Sequence, residues 1–480
     1  MSKIAFTYGD FGSREFAESK MYWRRRNRYY HDSIAGFIKS LTGKDSAVLE
    51  IGCGTGETLA ALDCAKRTGI EINTYMISEG MKSHPNIEFI SADIESEEPL
   101  AELKRQNIKF DFIIVSDLIG TLNDIQKVFE KLSDVSREGT RIIVTYYNYF
   151  WNPLLKLGEA LGLKLKEGNR NWLYIEEIKN LLRLSGFNAG KSGSLLLIPK
   201  KIPLISYIAN RYLSELPLLR RLCLAGWVVA DFEKSKNESR NYSTTVLVPC
   251  RNEEGNISKI VNRIPELGSH TEIIFVEGNS TDNTYSRIEE VIKENPDKDI
   301  KLFRQAGKGK GDAVRTGFEK AKGDIFIILD ADMTVAPEDL NKFYNALASG
   351  KGEFINGSRN VYQMQEKAMR RLNKFGNIFF SKVFSWLLGQ RITDTLCGTK
   401  ALFGSDYRRI ADNRKYFGDF DPFGDFDLLF GASKLKLKII EVPIRYGERT
   451  YGSTNINRFR DGLMLLRMCF FAMRKIKFAD

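Results

Sequence analysis

Cysteine is scarce and scattered. The six in 480 residues (Cys53, Cys64, Cys223, Cys250, Cys397 and Cys469) form no CxxC pair, which excludes a disulfide framework and a zinc ribbon and predicts a reducing, cytoplasmic setting. No run of about 18 uncharged apolar residues appears, so no segment reads as a membrane span. Met1 to Asp10 lacks the apolar core of a secretory leader. Repeats of fixed period and low-complexity tracts are also missing. What is present is the composition of a globular protein, 43% hydrophobic and 28% charged, in a chain too long for one ordinary core. An excess of Lys and Arg gives a formal charge of +11. Part of it is clustered, in Arg24-Arg25-Arg26 with Arg28 and in Arg458, Arg460, Arg467, Arg474, Lys475 and Lys477. Such patches suit the phosphates of nucleotides, nucleic acid or anionic lipid.

From Ala47 to about Leu197, strand-like apolar runs (AVLEI, GIEI, IEFISAD, FDFIIVSD, TRIIVTYY) alternate with amphipathic ones, which predicts a parallel sheet with helices on both faces. Arg24 to Leu41 reads as one helix with an arginine-rich face. Ile198 to Trp227 is apolar with three prolines, and Phe232 to Tyr242 is polar, so the domain boundary is expected near residue 238. A second alternation follows: TTVLVPC, TEIIFVEG, IKLFRQ, DIFIILDAD, EFINGS and LKIIEVPIRY.

In the first half, Gly52, Gly54 and Gly56 follow a strand ending in Glu50-Ile51, where backbone must pass close to a ligand. Glu71 ends the next strand, nineteen residues past Gly52, placed to accept two ribose hydroxyls. Asp93 closes the third strand and Ser116-Asp117 the fourth. A dinucleotide-binding dehydrogenase shares the glycine loop, and Asp93 alone also reads as a helix cap. The full order resembles the class I methyltransferases that use S-adenosylmethionine, over residues 20 to 200. That resemblance implies a cofactor site of Glu50, Gly52, Gly54, Gly56, Glu71, Asp93, Ile94 and Ser116, with the loop on the methionine part, Glu71 on the ribose, and Asp93 with Ile94 on the adenine. The methyl acceptor has no signature. Tyr29, Tyr30, His31, Tyr146 and Tyr147 either line its pocket or pack as core and helix surface.

In the second half, Asp330 and Asp332 lie one residue apart at the end of an apolar run, and strand alternation predicts that both carboxylates point to one side. Oxygen ligands so placed suit Mg²⁺ or Mn²⁺ bridging a diphosphate. Around them stand Pro249-Cys250-Arg251-Asn252-Glu253, Glu277 through Asp282 to Thr284, Lys310-Gly311-Asp312, Gly357-Ser358-Arg359, Thr393 to Lys400, Glu441-Val442-Pro443 and Arg449 to Asn455. This order resembles inverting family 2 glycosyltransferases of the GT-A fold, over residues 243 to 480, and is similar to synthases of polyprenyl- or dolichyl-phosphate sugars. The predicted fold class is therefore α/β in two domains: a Rossmann-like methyltransferase fold with its C-terminal connector (1–237) and a GT-A fold (238–480). The resemblance implies a nucleotide-diphosphate-sugar site of Pro249, Asn252, Glu253, Glu277, Asp282, Lys310, Asp312, Asp330, Ala331 and Asp332, with Asp330 and Asp332 on the metal. Arg359, Arg449 and Arg371 would meet acceptor or donor phosphate, which suits a planar cation. Three departures from the pattern stand out: Glu277-Gly278 stands for the usual Asp-Asp, Thr334 for a frequent glutamine, and Asn455 for a frequent lysine.

Asp425 and Asp427 sit where members with hydroxyl acceptors carry a general base. A phosphate acceptor is already anionic, so the two acids either serve the site or cap a helix. The aromatic stretches 375–388 and 463–478 either pack as core helices or lie in a membrane interface with arginines on headgroups. The function expected is transfer of a sugar to a polyprenyl phosphate, by a protein peripheral on the cytoplasmic face of the membrane and fused to a methyltransferase domain. Two rivals stand beside it: transfer to a saccharide hydroxyl with Asp425 as base, and an RNA methyltransferase with a degenerate sugar domain. No RNA-recognition motif appears, so no nucleic-acid partner is expected.

Overall fold

Val48, Leu49, Glu50 and Ile51 are all buried, as a central strand covered on both faces requires. The computed structural model describes residues 6–166, 170–233, 240–362, 371–413, 424, 426–449, 451, 466–470 and 472–474, with the backbone alone at 98 and 371–378. The chain divides into two units, Met1–Ser235 and Lys236–Asp480.

The N-terminal unit is built on strands β1 (Ala47–Ile51), β2 (Lys66–Glu71), β3 (Glu88–Ser91), β4 (Phe110–Ser116), β5 (Ser136–Tyr147), β6 (Phe187–Leu195) and β7 (Ala225–Phe232). Their order is β3-β2-β1-β4-β5-β7-β6. The first five run parallel, whereas β7 is antiparallel to both β5 and β6. The sheet is thus mixed rather than parallel, and its seventh strand comes from Gly226-Trp227-Val228-Val229, within and just past the apolar Ile198 to Trp227 run. The order reverses between β1 and β4, which opens a crevice at their carboxyl ends, the usual ligand position in such sheets. The helix expected over Arg24 to Leu41 is two, Arg14–Arg26 and Arg28–Leu41. They break at Asn27, whose φ of −107° and ψ of 27° leave the helical region.

The C-terminal unit has strands β8 (Ser243–Cys250), β9 (His270–Glu277), β10 (Asp299–Arg304), β11 (Ile325–Ile328), β12 (Phe354–Ser358), β13 (Lys400–Phe403) and β14 (Ile439–Pro443). They are ordered β10-β9-β8-β11-β13-β12-β14. Here β8 to β11 are parallel, β13 is antiparallel to β11 and β12, and β14 runs parallel to β12. The reversal between β8 and β11 again places a crevice at their carboxyl ends. β11 stops at Ile328, so Asp330 and Asp332 sit in the turn beyond it, and strand alternation does not set their directions. Both units are α/β, as expected.

Aromatic packing anchors the second sheet. Phe326 is fully buried, stacked on Phe318 at 4.9 Å and 5.8 Å from Tyr407. On the helix Arg371–Leu388, Phe384 is fully buried and stacks on Phe430 at 5.5 Å, while Phe379 and Trp386 are exposed, so this helix is core on one side and open on the other. No helix among the described residues is long and apolar enough to cross a membrane. Phe326→Ala should remove the centre of the aromatic stack and lower stability by about 3–5 kcal/mol. Chemical denaturation of the full chain, followed by a probe in the C-terminal unit, measures it.

Candidate functional site

Three glycines follow β1 at φ +71° (Gly52), +60° (Gly54) and +81° (Gly56), a backbone region that side chains rarely adopt. Neighbouring side chains press on them as well. A Cβ on Gly52 would come 2.9 Å from Leu118 Cδ1, one on Gly54 3.0 Å from Met76 Cε, and one on Gly56 2.9 Å from Phe89 Cζ. The loop is held by Glu71, whose buried carboxylate accepts the Gly54 N–H at 2.8 Å and the Asn73 N–H at 3.0 Å. Glu50 is buried beside the loop, and its Oε2 has no hydrogen-bond partner. Burial pushes Glu50 up to about 8, against the pull of the Arg24 guanidinium.

Asp93, past the end of β3, accepts the Tyr8 hydroxyl at 2.7 and 2.8 Å and the Glu95 N–H at 2.8 Å. Ile94 next to it is buried. Asn73 ties the N-terminal segment down from the other side, donating to the carbonyls of Phe11 at 2.7 Å and Ser13 at 2.8 Å. The segment Phe6–Ser13 therefore lies over the carboxyl edge of the sheet, and Tyr8 and Asn73 carry no sequence signature that marks them. At the end of β4, Ser116 Oγ lies 3.0 Å from Thr145 Oγ1. Asp117, at φ +53°, accepts the Tyr30 hydroxyl at 2.8 Å. A small recess opens there, lined by Asp117, Gly120, Tyr146, Tyr147, Arg170 and Trp172 among others. The Arg170 guanidinium lies 4.6 Å over the Tyr147 ring. Of the five candidate acceptor-side residues, Tyr146 and Tyr147 line this pocket and Tyr30 backs it through Asp117. His31 packs edge-on against Tyr30, and Tyr29 accepts from Asn210.

In the C-terminal unit Asp330, Asp332 and Glu253 are each met by a cation. Arg449 reaches the crevice because its segment is fastened to the turn after Asp332: Val335 bridges Tyr446, and the Gly447 N–H donates to the Thr334 carbonyl at 2.8 Å. From there Arg449 donates to Glu253 at 3.1 Å and to Asp332 at 2.9 Å. Asp332 also accepts the Thr334 hydroxyl at 2.6 Å and its N–H at 3.1 Å. Lys310 pairs with Asp330 at 2.5 Å. Burial works against charge on Asp330, but Lys310 holds its carboxyl below the usual range. Gly398 is packed so closely on this pair that a Cβ would overlap both Asp330 Oδ2 and Lys310 Nζ. Burial pushes Glu253 up to about 7 even with Arg449 pulling it down.

The loops around these acids close on themselves. Asn252, at φ +56°, accepts the Thr281 N–H at 2.8 Å, and Glu277 accepts the Ser280 N–H at 2.5 Å. Asp282 takes the Thr284 N–H at 3.0 Å, and Asp312 takes the Gly307 N–H at 2.8 Å. Pro249 is the next-to-last residue of β8, and Ala331 is buried between the two acids of the turn. Arg359, expected to meet a substrate phosphate, donates Nε and Nη2 to buried Asp394 at 2.6 and 2.7 Å. The Asp394 loop hangs in turn on Glu441 of β14, which accepts the N–H groups of Thr393 and Asp394 at 2.8 and 3.0 Å. Asp427 lies 3.8 Å from Arg315. Asp425, Asn455 and the side chain of Arg371 lie outside the described residues, as does most of 463–478.

Among the described residues no group of three His, Cys, Asp or Glu side chains gathers around a common point. What the turn offers a metal is two carboxylates with the Thr334 hydroxyl alongside. That hard-oxygen set fits Mg²⁺ or Mn²⁺, which commonly bind through one or two carboxylates and complete their shell with phosphate and water.

A family model described as glycosyl transferase family 2 matches residues 245–412, and one described as a methyltransferase domain matches residues 22–190. The UDP-N-acetylglucosamine–dolichyl-phosphate N-acetylglucosaminyltransferase of Methanococcus voltae is 30% identical over 214 residues, which are 42% of this chain and 84% of that protein. The chain belongs to the family 2 glycosyltransferases. Glycosyltransferase AglJ of Haloferax volcanii is 29% identical over 219 residues, 45% of this chain and 67% of that protein. The dolichol-phosphate mannosyltransferase of Pyrococcus furiosus is 29% identical over 218 residues, 44% of this chain and 58% of its own length. The chain is thus an enzyme that joins a family 2 glycosyltransferase domain to a methyltransferase domain.

Glu50 generates a pH prediction. Its folded-state value of about 8 lies above the ordinary 4.5, so the folded state holds its proton where the unfolded state has lost it. Stability then falls as pH rises through that window. Glu50→Gln should flatten the decline of the thermal midpoint of the N-terminal unit between pH 6 and about 8, the folded-state value, as read by scanning calorimetry across that range.

Proposed function

We propose that the C-terminal unit transfers a sugar from a nucleotide-diphosphate sugar to a polyprenyl phosphate. The observation that carries this reading is the arrangement of Asp330 with Lys310 and of Asp332 with Arg449 at the reversal between β8 and β11. Such a cluster has acids for a divalent cation and cations for phosphate oxygens, which is what a diphosphate leaving group and a phosphate nucleophile need together. Mg²⁺ or Mn²⁺, held by Asp330 and Asp332, would supply the counter-charge for the departing diphosphate. Glu253, Glu277, Asn252, Asp282 and Asp312 shape the loops where base and ribose would rest. Lys310 and Arg449 neutralise and orient phosphate oxygens, and Arg359, fixed by Asp394, positions the wall behind Asp330. An anionic acceptor oxygen needs alignment more than deprotonation. The names of the Methanococcus and Pyrococcus relatives support a lipid-phosphate acceptor.

The N-terminal unit is proposed to bind S-adenosylmethionine across the β1–β4 crevice. Gly52, Gly54 and Gly56 would cradle the methionine part, Glu71 would take the ribose, and Asp93 with Ile94 the adenine. The unpartnered Oε2 of buried Glu50 supports a polar ligand beside the loop.

Asp332→Ala should abolish transfer to polyprenyl phosphate and weaken nucleotide-sugar binding in Mn²⁺ by roughly two orders of magnitude, since the diphosphate loses its counter-charge. Radiolabel transfer and titration calorimetry read the two effects. Full transfer by this variant in metal-free buffer counts against the metal role, and transfer to a soluble saccharide hydroxyl in place of lipid phosphate would favour Asp425 as a base.

Gly54→Val combines a branched side chain with a left-handed backbone and a contact to Met76, and should abolish S-adenosylmethionine binding by calorimetry. Binding of NAD by the unaltered protein, with none of S-adenosylmethionine, would replace the methyl-donor reading.

A further inference from the structure

A helix on a soluble domain turns its large apolar residues inward and its small and polar ones outward. The segment between β6 and β7 does the reverse. On the helix Ile205–Arg211 the buried residues are Ser206 and Ala209, while Ile205, Tyr207 and Ile208 are exposed. To either side, Leu204 exposes 72% and Leu218 78% of its surface. Hydrogen bonds hold this inversion in place. The Ser206 hydroxyl donates to the Ile202 carbonyl at 2.7 Å and accepts its N–H at 3.1 Å, and Ser214 donates to the Asn210 carbonyl at 2.7 Å. Asn210 donates to the Ile198 carbonyl at 2.9 Å and accepts its N–H at 2.8 Å, and it also reaches Tyr29 in the body of the unit at 3.2 Å.

A second segment, after β5, lies against the first. The Asn148 amide donates to the Arg221 and Cys223 carbonyls at 2.9 and 3.0 Å, and the Trp151 indole to the Leu222 carbonyl at 2.8 Å. This segment exposes Phe150, Leu154, Leu157 and Leu161. Together the two stretches, 150–163 and 202–222, hold fifteen of the twenty-four exposed large apolar side chains among the described residues. A monomer's largest apolar patch is usually about 300–600 Å² and is often functional. Fifteen such side chains on two adjoining segments call for an apolar partner.

Charge identifies the partner. Between Ile198 and Leu224 stand Lys200, Lys201, Arg211, Arg220 and Arg221 against the single acid Glu215. Lys201, Arg211 and Arg221 are exposed among the outward-facing apolar groups. A nucleic acid would meet the cations and leave the leucines wet, whereas an anionic bilayer satisfies both, with tyrosines and leucines in the headgroup boundary and bases on lipid phosphates.

We propose that these two segments form a membrane-docking surface of the methyltransferase unit, which lies on anionic lipid. The surface belongs to the N-terminal unit alone, and the proposal does not depend on the donor or acceptor proposed for sugar transfer.

The full chain should co-sediment with phosphatidylcholine vesicles that contain phosphatidylglycerol, less as salt rises. Ile205→Ser with Leu218→Ser, both at exposed positions, should lower that partitioning roughly tenfold or more, while nucleotide-sugar and S-adenosylmethionine binding stay as they were. Lys201→Gln with Arg211→Gln and Arg221→Gln should reduce binding to vesicles with phosphatidylglycerol and leave the weak binding to phosphatidylcholine alone unchanged. Unaltered vesicle binding by the Ile205, Leu218 double variant overturns the proposal. So does a concentration-dependent dimer in sedimentation velocity that this variant abolishes while the unaltered protein ignores vesicles, since the surface would then join two copies. Loss of sugar transfer to polyprenyl phosphate is read in a separate assay and bears only on the transferase reading.

Discussion

Arg449 joins carboxylates delivered by two distant stretches of chain. Glu253 comes just after β8 and Asp332 just after β11, and both accept from one guanidinium that follows β14. Two acids converging on one sheet edge repel each other, and at about 4 Å in a medium of effective dielectric near 20 that repulsion is about 4 kcal/mol. A cation set between them removes the penalty. Lys310 does the same for Asp330, and Arg359 for Asp394. Asp330, Asp332 and Glu253 are therefore each paired with a cation before any ligand arrives. On the proposed reading a metal and a diphosphate enter by exchange, the metal taking the acids and the phosphates taking the freed cations, so little net charge is buried in the step.

The same economy explains why Arg359 sits where it does. Its fork is filled by Asp394 from below, and Asp394 belongs to a loop whose N–H groups end on Glu441. β12, the loop before β13, and β14 are thereby locked into one frame through a buried hydrogen-bonded chain. Breaking one partner of such a chain leaves an uncompensated buried charge, which costs more than the pair contributes. Rigidity on this side gives Arg449, on the far end of β14, a fixed base from which to reach the acids.

Much of this was legible in the residues. Fully buried strands such as β1, β8 and β9 announce themselves as unbroken apolar runs, and the loops that follow them carry glycine or acids at the ends, so both crevices are marked in the sequence. The elements that leave no sequence signal share a cause. β13 is four residues long and β7 lies within and just beyond a run whose hydrophobicity also suits a helix, so neither had a period to detect. The run through Asp330 and Asp332 looked like one strand, yet the chain leaves the sheet at Ile328 because the acids are drawn to Lys310 and Arg449, which lie elsewhere in the sequence. Tyr8, Asn73 and the Asp394 fork on Arg359 are pairings between distant residues, and no local pattern encodes a distant partner. The glycine loop points to a ligand in the sequence. Its positive φ angles and the closeness of Leu118, Met76 and Phe89 show that the protein's own packing also demands glycine there.

Hydrophobicity by itself does not say which way a segment faces. The helix Arg371–Leu388 and the helix Ile205–Arg211 are both apolar and aromatic, but they resolve differently because of where their bulk falls. In the first, Phe384 is turned onto Phe426 and Phe430, so the aromatic mass joins a core. In the second, the inward positions are serine and alanine, too small to fill a core, and their hydroxyl and amide neighbours close the backbone without drawing the large residues in. A sequence that spends its small residues inside and its isoleucines and tyrosines outside is shaped for a surface that is not water. That logic, unlike mean hydropathy, can be read from a helix of seven residues once its buried face is known.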